Sequence, residues 1–249
     1  MRIALDRMHE AFNAAQEGRK SRHSVADRAQ PSMFQYDYLA LRALSTDVSA
    51  LIEQLPNGDG ARALDLGADK SPYGGLLRAK GYLVETLDVA RDSGADYLGT
   101  AEETRLPDAT FDVVLCTQVL EHSDEPWNAI REIRRILKPG GWTIVSGPHV
   151  WFYHPHPKDH WRFTQEGLVK LCRYGGLKPK ALLAQGGTML TIAQVVNFLL
   201  YGALGRLGAP MYAMVNIFGV VADRLVPNEL FCHNFACLAE SPSGNGPGR

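Results

Sequence analysis

The sequence has no excess of either charge. Its 26 Lys and Arg stand against 27 Asp and Glu, for a net charge of -1. No strong electrostatic field follows, so a nucleic-acid partner is not indicated. Cysteine is scarce. Cys116, Cys172, Cys232 and Cys237 form no CxxC pair, which argues against a zinc knuckle or a disulfide framework and fits free thiols in a reducing cytoplasm. The N-terminus, Met1-Arg2-Ile3-Ala4-Leu5-Asp6, has charges where a signal peptide needs an apolar run, so secretion is not expected. No internal repeat is present. Charged residues are missing altogether from 181–205 and again from 207–222. What remains is a chain of 249 residues, 45% hydrophobic, able to bury a full core and better suited to one large domain than to two.

Strand and helix signals alternate along its middle. Residues 36–55 carry apolar residues at helical spacing and stop before Pro56 and the turn Asn57-Gly58-Asp59-Gly60. Residues 61–67 read as a buried strand, 72–80 as a short helix, 82–88 as a second strand and 111–117 as another. An amphipathic helix over 125–137 runs into Lys138-Pro139-Gly140-Gly141, a strong stop, and 142–146 reads as a further strand. Thr164 is a candidate N-cap for a helix ending at Gly175. Residues 231–238 read as a last strand. This order predicts an α/β fold, doubly wound around a mostly parallel sheet, in which ligands bind at the carboxyl ends of the strands.

The turn Asp65-Leu66-Gly67-Ala68-Asp69-Lys70-Ser71-Pro72-Tyr73 joins the first strand to a helix and offers backbone N–H groups to a ligand. A dinucleotide fingerprint needs G-x-G-x-x-G so that a pyrophosphate can sit on the helix end. Here the second glycine is Asp69, whose carboxylate would repel a pyrophosphate. A nicotinamide-dependent oxidoreductase is thereby disfavoured, whereas Asp65 and Asp69 suit a cationic ligand. Asp88, roughly 20 positions on and at the end of the second strand, is placed to accept hydrogen bonds from a ribose diol.

These strings resemble the class I S-adenosylmethionine-dependent methyltransferases, type-11 branch. Residues 63–73 are similar to the first motif of that family. Thr100-Ala101-Glu102-Glu103, Leu106-Pro107, Phe111-Asp112-Val113-Val114, Val119-Leu120-Glu121-His122 and Ile136-Leu137-Lys138-Pro139-Gly140-Gly141 follow in the family's order. The resemblance covers roughly residues 60 to 178. It implies S-adenosylmethionine as cofactor and a seven-stranded Rossmann-like sheet whose last strand is antiparallel. It assigns Asp65, Gly67, Ala68 and Asp69 to the methionine moiety and Asp88, with Val89, to the ribose. Ala101 and Glu102 go to the adenine side, and Thr117 and Gln118 to the floor beneath the cofactor. The chain departs from the pattern at two places: Asp69 stands where the family usually has Gly, and Thr100 where it often has Asp. A glycine position can demand a positive φ, which Asp tolerates better than most residues.

The loop 147–164 gathers four histidines and several aromatics. Pro155 and Pro157 stiffen it and no i, i+4 His pair is set up, so no metal site is expected. Type-11 relatives resemble it at His154, Pro157, Asp159, Trp161, Arg162, Phe163 and Thr164, which makes it a candidate acceptor wall. A hydroxyl acceptor must lose a proton, and His154, then His122, are the candidate bases. The expected acceptor is a small molecule, glycan or lipid methylated at oxygen. The rival is a non-catalytic adenosine-cofactor-binding module that kept the fold.

The expected organisation of this single domain, 1–249, is N-terminal helices to 58, a cofactor-binding core over 60–185, an apolar helical insertion over 186–228, a last strand over 229–240 and a disordered tail over 241–249. The insertion, 188–225, carries Gln194, Asn197, Gly202, Gly205 and Pro210, which count against simple membrane spanning. One or two helices acting as an apolar lid, or dipping into a membrane surface, are expected there. The expected location is the cytoplasm, with membrane association as the alternative.

Overall fold

A computed structural model describes residues 28–154 and 158–243. The N-terminal basic cluster (Arg19, Lys20, Arg22, His23), the loop residues Pro155, His156 and Pro157, and most of the expected tail lie outside the described residues.

The described residues form two compact units. One takes the described parts of 1–45, 150–159 and 185–233; the other takes 46–149, 160–184 and the described part of 234–249. The boundary at residue 45 falls within helix α1 (Tyr38–Glu53).

The larger unit holds the sheet. Its strands are β1 (Arg62–Leu66), β2 (Leu83–Asp88), β3 (Tyr97–Leu98), β4 (Phe111–Thr117), β5 (Leu137–Pro148), β6 (Lys178–Gln185) and β7 (Asn234–Glu240). The seven strands lie in the order β3-β2-β1-β4-β5-β7-β6. β1 pairs in parallel with β2 and β4, and β4 in parallel with β5. β7 runs antiparallel to β5, from Trp142↔Glu240 to Pro148↔Asn234. The doubly wound, mostly parallel sheet with an apolar helical insertion before the last strand is thus the fold the sequence foretold. Its central strands are continuous apolar runs because they are covered on both faces: Leu64, Leu66, Val113, Val114, Leu115, Ile144 and Val145 are all buried.

Helices α2 (Gly74–Ala79), α3 (Pro126–Ile136) and α4 (Gln165–Tyr174) flank these strands in sequence. α3 buries Ala129, Ile130, Ile133 and Ile136 at helical spacing and turns its arginines outward. α4 starts where its cap requires, with Thr164 Oγ1 accepting the Gly167 amide at 3.1 Å. One boundary differs from expectation. Lys138-Pro139-Gly140-Gly141 does stop α3, but it does not precede the next strand; it is a bulge inside it. Pairing jumps from Phe111↔Leu137 to Val113↔Trp142, and the extra residues loop out through Gly140 at φ 77. Glycine adopts that φ without a Cβ penalty, and Pro139 has no amide to leave unpaired. The four cysteines are buried and form no disulfide.

The smaller unit is helical. α5 (Thr188–Leu204) and α6 (Ala209–Leu225) are joined by the 3₁₀ turn Gly205–Gly208 and pack as a hairpin, with Asn197 Nδ2 donating to Asn216 Oδ1 at 2.7 Å. Leu39, Leu190 and Ala193 form its apolar core, and Tyr36 stacks on Tyr201 at 4.0 Å between ring centroids.

Candidate functional site

The carboxyl ends of β1 and β2 bring the first group of expected residues together. Leu66 is in register with Leu87, and the chain leaving β1 stays on β2: the Gly67 and Ala68 amides both donate to Leu87 O, at 2.8 and 3.2 Å. Gly67 has φ 72, and a Cβ there would stand 2.3 Å from Val119 Cγ2. Only glycine lets this loop pass so close to Val119, two residues beyond the end of β4. Asp69 then takes φ 48 and Ser71 φ 50. The departure from the family glycine is therefore accommodated: Asp69 occupies the left-handed region itself.

Asp88 closes this loop. Its Oδ2 accepts the Asp69 amide at 2.9 Å and its Oδ1 accepts the Ala90 amide at 2.8 Å. Each carboxylate oxygen has a second lone-pair direction available in principle. Val89, beside it, is exposed. Asp65 is buried at the end of β1 and accepts the Ser71 hydroxyl at 2.7 Å. Burial pushes its carboxyl up to about 7, against the pull of the Ser71 hydrogen bond and the Arg78 guanidinium.

A second group lies at the ends of β3 and β4. The Gly99 amide donates to Asp88 O, and Thr100 Oγ1 accepts the Glu103 amide at 3.1 Å. Thr100 thus caps its own turn, a job that its hydroxyl does well. Ala101 is buried, and Glu102 accepts a short hydrogen bond from Ser123 Oγ. Thr117 ends β4 opposite Ser146. Gln118, at φ 55, donates its side-chain amide to Ser146 Oγ at 3.1 Å. Ser71, Ser123 and Ser146 were not singled out in the sequence. Each sits one turn or one strand away from a motif residue, and single serines carry no spacing signal.

His122 ends the 3₁₀ turn Leu120–His122, with its Nε2 3.9 Å from Glu121 Oε1. Glu121 O accepts the His160 amide at 2.8 Å, and Trp161 Nε1 donates to Ser123 O at 2.9 Å, so the segment after β4 is tied to the segment before α4.

His154 belongs to the smaller unit. Its backbone amide donates to Asp159 Oδ2 at 3.0 Å. Its Nδ1 lies 3.1 Å from both Asp159 Oδ2 and Phe152 O. Both of these partners of Nδ1 are acceptors, so Nδ1 is the donor in these contacts. The Asp159 carboxylate thus fixes the orientation of the His154 ring.

Known proteins resemble this chain in part of its sequence and in its fold. Residues 81–145 match a family model described as a methyltransferase domain. A ubiquinone biosynthesis O-methyltransferase of Paracidovorax citrulli is 30% identical over 111 residues, covering 38% of this chain and 47% of that protein. The chain spans about half the length of the curated relatives it matches. Among solved structures, a 4+2 cyclase superposes with TM-score 0.55 at 20% identity, over 80% of this chain and 82% of the other. A Burkholderia thailandensis 1,6-didemethyltoxoflavin N1-methyltransferase, solved with that substrate and S-adenosylhomocysteine, superposes with TM-score 0.53 at 16% identity, over 80% of this chain and 78% of the other. Residues 81–145 thus resemble a methyltransferase domain, and the chain shares the fold of these solved structures.

Proposed function

We propose that the protein binds S-adenosylmethionine through the loop after β1 and transfers its methyl group to a small-molecule, glycan or lipid acceptor, at oxygen. The observation that carries this reading is the pair of carboxylates at adjacent strand ends, Asp65 and Asp88, on a loop whose second glycine position is Asp69. That donor set fits a ligand with an ammonium and ribose hydroxyls and opposes a pyrophosphate. Asp88 takes the ribose diol with Val89 beside it. Asp65, Gly67, Ala68 and Asp69 face the methionine end, Ala101 and Glu102 the adenine, and Thr117 and Gln118 the floor. The bound cofactor supplies an electrophilic methyl on a sulfonium. The chain supplies position and proton removal, which for an in-line displacement is most of what an enzyme offers. His154, held by Asp159, is the proposed base, and His122 the second candidate. A lipid-linked acceptor would bring the apolar segment 188–225 to a membrane surface.

A second reading is favoured by Asp69 and by the cyclase that shares this fold: a cofactor-binding protein without methyl transfer. Calorimetry with S-adenosylmethionine, followed by assay of S-adenosylhomocysteine release across hydroxylated acceptors, separates the two. Binding with turnover supports the enzyme. Binding without turnover on any acceptor class supports the second reading, and absence of binding overturns both.

A further inference from the structure

We infer that the α5–α6 hairpin lies in the plane of a lipid bilayer, with its outer face sunk into the hydrocarbon of one leaflet. The hairpin is inside out for a helix pair in water. There, polar residues face solvent and apolar ones the core. Here Thr191, Gln194, Asn197 and Asn216 are buried, while every exposed residue of the two helices from Thr188 through Val221 is apolar, glycine or proline. Leu199 is 55% exposed, Phe218 63% and Met214 71%, with Leu207 in the turn at 91%.

The buried polar groups are largely satisfied from within. Asn197 bonds to Asn216, whose Nδ2 donates to Met33 O and Gln35 O at 2.7 and 3.0 Å. Gln194 Nε2 donates to Tyr36 O at 2.8 Å, and its Oε1 accepts the Ala40 amide. Gly219 packs on Ala193 so closely that a Cβ would stand 2.7 Å away. Amide bonds between helices and small residues at their crossing are what holds helices together when the solvent is lipid.

The occupant of the outer face follows from its composition. Residues 181–205 and 207–222 have no charge, and an 18-residue window within 188–225 has a mean hydropathy of 1.4. Protein interfaces are anchored by Trp, Tyr and Arg. This face instead offers Leu, Ile, Val, Met and Phe, the side chains that partition into acyl chains. Orientation follows from length and from Arg206. A 17-residue helix is about 25 Å long, short of the ~30 Å hydrocarbon core. End-on insertion would leave the exposed Arg206 in the turn inside the hydrocarbon, several Å short of the far headgroups. Lying flat leaves Arg206 and Arg224 at headgroup level.

This inference rests on the membrane contact in the reading above and not on methyl transfer, so it is tested without cofactor. The full chain is mixed with vesicles of phosphatidylcholine alone and floated on a density gradient at about 0.1 M and about 1 M salt, since salt screens charge but not burial of apolar surface. The expected result is flotation at both. The triple variant Leu199→Lys, Met214→Lys, Phe218→Lys should float at least tenfold less while keeping its circular dichroism. As a second measurement, Met214→Trp should show added quenching by brominated acyl chains over the wild type. Wild-type protein left unfloated as a monomer overturns the inference. So does a dimer that the triple variant splits, which would make the face a contact between copies. Flotation that needs anionic lipid and vanishes at high salt, or no added quenching at position 214, overturns it equally.

Discussion

The Asp88 carboxylate accepts the backbone amide of Asp69 at 2.9 Å, so the end of the second strand holds the loop that follows the first. Two demands meet on one side chain: fixing the loop, and receiving the ribose in the proposed complex. Asp88→Ala removes both. Loss of a hydrogen bond to a charged group costs about 1.5–3 kcal/mol, or roughly tenfold to a hundredfold in affinity. Titration calorimetry should show that weakening for S-adenosylmethionine, and unchanged affinity would refute the assignment.

Asp69 tests the backbone separately from the ligand. Its φ of 48 is cheap for Gly, tolerable for Asp and costly for a β-branched residue. Asp69→Gly should leave thermal stability unchanged or raise it by up to about 1 kcal/mol. Asp69→Val should lower it by roughly 1–2 kcal/mol. Equal melting temperatures for the two variants would mean that the left-handed geometry does not constrain this position.

Asp65 sets a pH dependence. Burial raises its carboxyl from 3.8 to about 7, so the folded protein keeps a proton that the unfolded chain releases. Its contribution to the stability of the free protein therefore falls as pH rises from about 4 to about 7, then levels off. A cationic cofactor favours the ionised form. Its affinity should rise with pH up to about 7, by at most tenfold per unit, because one proton leaves on binding. Asp65→Asn should flatten this profile. Calorimetry at about pH 5.5 and pH 7.5 checks it, and parallel slopes in wild type and variant would exclude Asp65 as the titrating group.

Much of the larger unit was legible in the sequence, for local reasons. Phe111 to Thr117 is an unbroken apolar run after its second residue, and it is β4 with those bounds. Thr164 announced its helix with a side chain that does cap it. The acid at Asp88 was visible because strand-end position is a sequence property. What escaped needs three dimensions. Tyr97–Leu98 is a strand only because β2 lies beside it, and two residues carry no period. Lys178–Gln185 opens Lys-Pro-Lys, which hides an edge strand. The stop at Pro139 and Gly140 masked a bulge within β5, because the same residues serve either role. The hold of Asp88 on Asp69 depends on a φ that no residue type dictates. The inward aim of Gln194 and Asn197 depends on the partner helix and on the segment around Tyr36, and without it their polarity read only as an argument against simple spanning.

The last expectation concerns His154. It donates through Nδ1 to Asp159 and to Phe152 O. If it removes the acceptor proton, His154→Ala should keep cofactor affinity while turnover drops by roughly 10²–10⁴-fold. Asp159→Asn is the sharper variant. It preserves the size of the side chain but lets an amide N–H face the ring, and the imidazole can answer by moving its own proton to Nε2. A base held in the wrong tautomer loses turnover with little change in KM, and its pH–rate profile shifts. A residue that only shaped the loop would change KM and leave the pH profile alone. Measuring kcat and KM across pH for both variants distinguishes these outcomes, and a wild-type kcat for His154→Ala would remove it from the chemistry and leave His122 as the candidate base.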